Sequence, residues 1–153
     1  FYITLPFISE YENHDKRNVE KEISCLEEEK QTKNLKVLIV EDDAISKLLI
    51  TIAVKPFSRE IIKVSTGIEA IEICRKFPDI DLVMMDINMP EMGGYEATNE
   101  IRKFNKNIVI IAQTANGMQS DHDNAIKAGC NDYISKPINI STLSKLICKN
   151  FKK

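Results

Sequence analysis

One short stretch, residues 81–94 (DLVMMDINMPEMGG), limits what this chain can fold into more than any other. The apolar run Leu82–Met85 ends at Asp86, and Pro90, Gly93 and Gly94 follow within eight residues. This pattern predicts a strand that is buried on both faces and stopped by a loop. Ligands of parallel α/β sheets collect at the carboxyl ends of the strands. Asp86 is therefore the first candidate functional residue.

Strand and helix patterns alternate from residue 35 to the C-terminus. The predicted strands are Lys36–Val40, Glu60–Val64, Leu82–Asp86, Ile108–Ala112 (running on to residues 113–115) and Tyr133–Ser135. A helical pattern follows each strand, so the connections are crossovers between parallel strands. The prediction is an α/β fold of the flavodoxin-like, doubly wound (βα)5 type, with a five-stranded parallel sheet of order 2-1-3-4-5.

The helices have recognisable starts and stops. Ile45, Leu48, Leu49 and Ile52 recur at helical spacing after Asp43, a plausible N-cap. Further predicted signals are a capping box at residues 66–69, helices over 94–104 and 119–128, a stop at Gly129, and Asn139 or Ser141 as the cap of the last helix.

Residues 1–34 differ from the rest. Residues 1–7 (FYITLPF) alternate weakly like a strand, and residues 9–34 are polar with mixed charge. We predict a linker over residues 9–34, partly helical around 19–30 or disordered, and a folded domain over 35–153. The missing initiator Met predicts a piece of a longer protein.

Composition excludes several classes of protein. The 153 residues carry a net charge of −2, which gives no electrostatic case for nucleic acid or an anionic membrane as a partner. No apolar run approaches the roughly 20 residues of a membrane span. The four cysteines, at positions 25, 74, 130 and 148, are far apart. They predict neither a zinc site nor a disulfide framework, and they favour a reducing compartment.

Polar residues gather at the predicted strand ends. Glu41 and Asp42 follow the first strand, Asp86 ends the third, Thr114 the fourth, and Lys136 the fifth. In the predicted strand order the first and third strands are neighbours, so the three carboxylates converge. Mg²⁺ prefers such oxygen ligands. A carboxylate can attack phosphorus to form an aspartyl-phosphate, and a Lys and a hydroxyl can neutralise the transferring group.

Each of these residues alone has an ordinary structural explanation: a helix cap, a turn former, a strand-end hydroxyl or a surface charge. Their joint occurrence at successive strand ends favours a site. No Gly-rich phosphate-binding motif occurs, which argues against nucleotide binding. His14 and His122 lie in polar segments and are predicted surface residues.

Four segments resemble the receiver domain of two-component response regulators: residues 40–43 (VEDD), 85–90 (MDINMP), 113–116 (QTAN) and 132–139 (DYISKPIN). They occur in order and with ordinary spacing between residues 35 and 150. The Glu41–Asp42 pair stands where the family often has two aspartates. Nothing essential is missing.

The resemblance implies a role for each site residue. Asp86 would accept a phosphoryl group from a phosphohistidine, and Thr114 and Lys136 would bind its oxygens. Glu41, Asp42, Asp86 and the backbone carbonyl of Asn88 would bind Mg²⁺ or Mn²⁺. Thr114 and Tyr133 would act as the switch residues, and the Lys136–Pro137 bond would be cis.

The resemblance also implies a context. Residues 1–8 are similar to the final strand of histidine kinase ATP-binding domains, which predicts the C-terminal receiver of a hybrid sensor histidine kinase. The expected partners are a histidine kinase dimerisation domain or a histidine phosphotransfer domain. A homodimer through the face of the fourth helix, fifth strand and fifth helix is also expected. The expected location is the cytoplasm, with no membrane contact by this fragment and a parent chain that is anchored in a membrane.

Other hypotheses remain open at this point. The chain fits a stand-alone response regulator that acts by protein contact. A haloacid-dehalogenase-like phosphatase also uses an Asp nucleophile. That family requires a second acidic residue two positions after the nucleophile, where this chain has Asn88. A flavin carrier would place its phosphate among acidic strand ends, which would repel it. Whether the domain counts as an enzyme is undecided, since a receiver assists only its own phosphorylation and dephosphorylation.

Overall fold

The computed structural model describes residues 34–115 and 117–151. In this part of the chain, five β-strands alternate with five α-helices. Their bounds are β1 Leu35–Val40, α1 Ala44–Val54, β2 Ser58–Val64, α2 Gly67–Lys76, β3 Leu82–Asp86, α3 Gly94–Phe104, β4 Val109–Thr114, α4 Gln119–Ala128, β5 Asp132–Ser135 and α5 Ile140–Phe151. A single 3₁₀ turn, Lys55–Phe57, links α1 to β2.

The strands form one parallel sheet in the order β2-β1-β3-β4-β5, which confirms the predicted flavodoxin-like fold. Val40 of β1 lies beside Met85 of β3, so the next residues along, Glu41 and Asp86, meet at the carboxyl edge. The strand order reverses between β1 and β3, and ligands of such sheets bind at that point.

Two apolar layers cover the sheet, one on each face. Alternate strand residues point to opposite faces, so each strand contributes to both layers. One layer packs the sheet against α2, α3 and α4 through Ala70, Cys74, Ala97, Ile101 and Ala125. The other packs it against α1 and α5 through Ile50, Ala53, Val54, Leu143 and Ile147.

The predicted helix caps are present. The Asp43 carboxylate accepts from the backbone N–H of Ser46 at 2.8 Å, and Thr66 Oγ1 accepts from the N–H of Glu69 at 3.2 Å. Gly129 ends α4 with a left-handed φ of 104°. The Asn139 side chain accepts from Thr142 N–H at 3.1 Å, which decides between the two candidate caps of α5.

Helix α1 forms where predicted, but its apolar spacing does not mark its buried face. Ile45, Leu48, Leu49 and Ile52 are 52–71% exposed. The residues that pack on the sheet are instead Ile50, Ala53 and Val54. This helix is apolar on two sides, so periodicity alone could not choose which side meets the sheet.

Several smaller predictions have clear outcomes. β2 begins two residues earlier than predicted and β5 one residue earlier. Cys74 and Cys130 are buried core residues, and burial raises the pKa of the Cys74 thiol to about 12. His122 is half-buried rather than fully on the surface. Predictions for residues 1–33, Cys25 included, and for Asn116 fall outside the described residues.

Candidate functional site

Three carboxylates meet at the carboxyl edge of β1 and β3. Glu41 and Asp42 directly follow β1, and Asp86 is the last residue of β3. One oxygen from each of the three lies within 4.8 Å of the other two. Glu41 and Asp86 are buried, whereas Asp42 is exposed. The cluster therefore combines two carboxylates held inside the protein with a third that faces solvent.

Lys136 supplies the positive charge at this cluster. Its Nζ lies 2.7 Å from Glu41 Oε2 and 3.4 Å from Asp86 Oδ1. Its backbone N–H donates to the carbonyl of Thr114 at 2.7 Å, so the residue is tied to the end of β4. The Lys136–Pro137 peptide bond is cis. One cation thus contacts both buried carboxylates.

The protonation of Lys136 and Glu41 depends on their burial and on the charges around them. Burial lowers the pKa of Lys136, but the hydrogen bond to Glu41 and the charges of Asp86 and Glu41 outweigh it and raise the pKa overall. Burial raises the pKa of the Glu41 carboxyl, with the hydrogen bonds from Lys136 and the Asp43 N–H acting against it. Lys136 is accordingly charged at neutral pH.

The loop after β3 holds the Asp86 carboxylate in place. Asp86 Oδ1 accepts from the backbone N–H of Asn88 at 3.1 Å. The Ile87 N–H donates to the carbonyl of Gln113 at 3.1 Å, and the Gly94 N–H donates to the carbonyl of Ile87 at 3.1 Å. These two backbone bonds tie Ile87, the residue after Asp86, to β4 and to the start of α3.

Thr114 and Tyr133 lie on β4 and β5, which are neighbouring strands. Thr114 is buried, and its Oγ1 accepts from the backbone N–H of Gly117 at 3.3 Å. Tyr133 pairs with Ala112 across the sheet, and its ring packs edge-on against His122 with centroids 5.1 Å apart. The structure places Thr114 at the same sheet edge as Asp86, and the switch role of the two residues stays a prediction.

Two residues of this region were not singled out from the sequence. A Cβ at Gly94 would meet the backbone carbonyl oxygen of Asp86 and lie 2.9 Å from its carbonyl carbon, so α3 approaches Asp86 as only glycine allows. Gln113 is fully buried although it is polar. The sequence signals were the Gly93–Gly94 pair and an amide at the end of an apolar strand.

Comparison with known proteins identifies the family. Residues 37–148 match the family described as the response regulator receiver domain. The chain belongs to this family. The match covers all five strands except the first two residues of β1, and it includes every site residue described above.

Individual receiver proteins agree with this assignment. The polar-differentiation response regulator DivK of Brucella ovis is 35% identical over 106 residues, covering 68% of this chain and 85% of DivK. The receiver domain of Saccharomyces cerevisiae Ssk1, crystallised with the histidine phosphotransfer protein Ypd1, is 32% identical with a TM-score of 0.70, covering 76% of this chain and 88% of that one. The receiver domain of the Pseudomonas aeruginosa sensor histidine kinase PA1611, which has magnesium coordinated in its active-site cleft, is 32% identical with a TM-score of 0.67, covering 76% and 96%.

Other curated relatives are much longer than this receiver domain. The chain spans 6–27% of the length of five of them. None of the helices in residues 34–115 and 117–151 is long and apolar enough to cross a membrane.

The donor set of this receiver domain fits a hard divalent cation. The clustered atoms are carboxylate oxygens, which suit Mg²⁺, and the exposed Asp42 leaves the cluster open to solvent. Mg²⁺ keeps several waters when it binds to proteins, so a cluster with one open side suits it better than a closed cage.

Proposed function

We propose that this receiver domain accepts a phosphoryl group on Asp86 from a phosphohistidine, in two-component phosphorelay signalling. One observation carries the proposal: Lys136 Nζ contacts both buried carboxylates of the site, Glu41 at 2.7 Å and Asp86 at 3.4 Å. A buried carboxylate next to a cation and two further acids has the features of an activated nucleophile, since the cation offsets the charge of the incoming group.

In the proposed transfer, a carboxylate oxygen of Asp86 attacks the phosphorus of the phosphohistidine. A P–O bond forms as the P–N bond breaks, and the imidazole leaves with the electron pair of that bond. Lys136 moves its ion pair from the carboxylates to a phosphoryl oxygen, and the Thr114 hydroxyl donates to another. The Asn88 N–H orients the attacking carboxylate through its bond to Asp86 Oδ1.

Mg²⁺, or Mn²⁺ in its place, is the proposed cofactor. Glu41, Asp42, Asp86 and the backbone carbonyl of Asn88 would hold it, with Glu41 acting mainly through water. The bound cation supplies charge neutralisation for the carboxylates and the phosphoryl oxygens. The magnesium in the PA1611 receiver domain supports this assignment.

The proposed context is a hybrid histidine kinase in the cytoplasm, with residues 1–8 as the end of an ATP-binding domain and 9–34 as the linker. The donor or acceptor would be a kinase dimerisation domain or a histidine phosphotransfer protein, as in the Ssk1–Ypd1 complex. DivK, most of whose length this chain covers, supports the alternative of a stand-alone regulator. The sequence of the complete gene distinguishes the two.

The proposed output is a change at the face formed by α4, β5 and α5. Phosphorylation of Asp86 would draw the Thr114 hydroxyl toward the phosphoryl group, and Tyr133 would follow because its strand pairs with β4. A homodimer through this face is one way to transmit the signal.

The decisive experiment is the intact mass of the protein after incubation with Mg²⁺ and acetyl phosphate. We expect a gain of one phosphoryl group that hydroxylamine removes, because an aspartyl-phosphate is an acyl phosphate. The Asp86→Asn variant is the control and should gain nothing. Folded wild-type protein that stays unlabelled would refute the proposed function.

A further inference from the structure

The ring of His122 contacts the ring of Tyr133, the residue predicted to take part in the switch. The two rings meet edge-on, with centroids 5.1 Å apart and planes inclined at 65°. Edge-to-face contacts at this separation are favourable between aromatic rings. His122 is near the start of α4 and Tyr133 is in β5, so the contact joins this helix to the edge strand of the sheet. Both residues are half-buried.

The His122 ring is held by packing rather than by hydrogen bonds. Its Nδ1 atom is buried and forms no hydrogen bond within the part of the chain that the structure describes, although Asp123 Oδ1 is 3.5 Å away. The backbone at this point is better anchored, because Tyr95 Oη on α3 donates to the carbonyl of Asp121 at 3.2 Å. The N–H groups of Asp121 and His122 both donate to the carbonyl of Met118. The start of α4 is therefore a fixed base for the ring.

Tyr133 and Thr114 lie on the same face of the sheet. Tyr133 pairs with Ala112 and Ser135 pairs with Thr114, and side chains alternate between the two faces along each strand. Thr114 is thus on the neighbouring strand, one step nearer the carboxyl edge than Tyr133. Ala112, directly beside Tyr133, carries only a methyl group, so its side chain does not block the ring. Tyr133 has a route toward Thr114 along this face.

We propose that His122 is a positioning residue that holds Tyr133 in the conformation of the unphosphorylated domain. This inference rests on the proposed function, in which Tyr133 follows Thr114 when Asp86 is phosphorylated. Because α4 is anchored through Asp121, the His122 ring does not travel with Tyr133, and the contact between the rings is lost in the phosphorylated conformation. The contact therefore sets how readily the domain responds to phosphorylation.

The direction of the effect distinguishes this role from a purely structural one. A contact made in only one of two conformations shifts the equilibrium toward that conformation. When the contact is removed, a ligand that binds the other conformation binds more tightly, because less free energy is spent on the change. A residue that only supports the fold has no such effect, and its loss leaves the affinity unchanged or weakens it.

The test measures the affinity of the protein for beryllofluoride, an analogue of the phosphoryl group, by calorimetric titration in the presence of Mg²⁺. We expect His122→Ala to bind it about fivefold more tightly than the wild-type protein, the factor that corresponds to one aromatic contact. His122→Phe keeps an aromatic ring and should bind within about twofold of the wild-type protein. Asn124→Ala, which shortens an exposed side chain on the same helix, should leave the affinity unchanged.

Nuclear Overhauser effects between the two rings test the movement itself. We expect cross-peaks between the ring protons of His122 and Tyr133 in the free protein, since the centroids are 5.1 Å apart. The cross-peaks should disappear in the beryllofluoride complex. A purely structural contact would give the same cross-peaks in both states.

Two results would overturn the inference while acetyl phosphate still labels Asp86. They are a folded His122→Ala protein that binds beryllofluoride no more tightly than the wild-type protein, and cross-peaks that persist in the complex. If His122→Ala fails to fold, His122→Leu, which fills more of the space without a ring, replaces it with the same expected direction. If Asp86 is labelled but beryllofluoride does not bind, the cross-peaks are compared between the free and the labelled protein. If the wild-type protein neither binds beryllofluoride nor is labelled, the proposed function fails and this inference fails with it.

Discussion

Lys136 is the residue on which the electrostatics of the site depend. It is one-quarter exposed, yet it contacts two carboxylates that are almost completely buried. Taking away one partner of a buried ion pair leaves the other charge without compensation, which costs more than the pair itself contributes. Lys136 should therefore matter to folding as well as to phosphoryl transfer.

Replacing Lys136 with methionine separates charge from side-chain bulk. We expect the initial rate of Asp86 labelling by acetyl phosphate to fall about a hundredfold, the usual cost of removing one group that stabilises transition-state charge. The free energy of unfolding should fall by roughly 1–3 kcal/mol without Mg²⁺, because Glu41 and Asp86 then repel each other unopposed. Intact mass and urea unfolding measure the two effects.

Lys47→Met is the control for this experiment. Lys47 is on α1, and its Nζ donates to Ser65 Oγ at 2.8 Å, so it contacts neither carboxylate. The control should keep its labelling rate. If Lys136→Met were labelled as fast as the wild-type protein, Lys136 would have no role in the transfer.

At the scale of the helices and strands, the sequence predicted well whatever depends on short-range chemistry. The Asp43 and Thr66 caps, the Gly129 stop and the start of α3 were all predicted correctly, because each is set by residues within one turn of the helix. The strand ends were right within two residues. The carboxyl edge of the sheet then followed from the strand order alone, and with it the convergence of Glu41, Asp42 and Asp86.

What the sequence could not predict depends on contacts between distant elements. Helix α1 has apolar residues on two sides, and only its packing against the sheet and α5 decides that Ile50 is inside and Leu48 outside. The burial of Gln113, whose amide has no hydrogen-bond partner within residues 34–115 and 117–151, likewise depends on how α1 packs over β4. No local pattern encodes either fact.

The packing of α3 on β3 gives a prediction at this scale. In Gly94→Ala the new Cβ would meet the backbone carbonyl of Asp86 and lie 2.9 Å from Ile87 Cα, and backbone cannot move aside as a flexible side chain can. We expect a loss of about 1–3 kcal/mol in the free energy of unfolding, as for other overpacked sites. Labelling of Asp86 should also slow, because the displaced backbone carries the nucleophile.

Gly93→Ala is a closely matched control. A Cβ at Gly93 would have its nearest contact at 3.6 Å, and its φ of −68° suits any L-residue. Its effect on stability should stay within about 0.5 kcal/mol. Equal stability losses in the two variants would contradict the close approach of α3 to Asp86.

On the scale of the whole domain, charge is arranged differently at the two ends of the sheet. The carboxyl end holds the acidic cluster and Lys136. At the opposite end, Lys36 is the second residue of β1 and is only 5% exposed. Its Nζ lies 3.2 Å from Asp79 and 3.5 Å from Glu60. Arg59 Nη2 also contacts Asp79, at 3.3 Å. This second group of charges joins β1 and β2 to the loop before β3.

Asp79, at this opposite end, contributes to how stability responds to acid. The hydrogen bond from Lys36 lowers the pKa of the Asp79 carboxyl below its ordinary value of 3.8, so the folded protein binds a proton there less readily than the unfolded chain. The stabilising effect of Asp79 is complete above pH 3.8 and disappears as the pH falls through the lower pKa of the folded state. In Asp79→Asn this contribution is absent at every pH.

We expect the urea midpoint of Asp79→Asn to lie below that of the wild-type protein at pH 6, and the gap to close as the pH is lowered past 3.8. Glu72→Gln, which removes one negative charge from an exposed position on α2, should leave the midpoint unchanged at pH 6. The urea midpoints of both proteins are measured from pH 6 to pH 2.5. If the difference between Asp79→Asn and the wild-type protein keeps its size throughout, Asp79 contributes through packing. A gap that closes places its contribution in the ion pair with Lys36, at the end of the sheet away from the phosphorylation site.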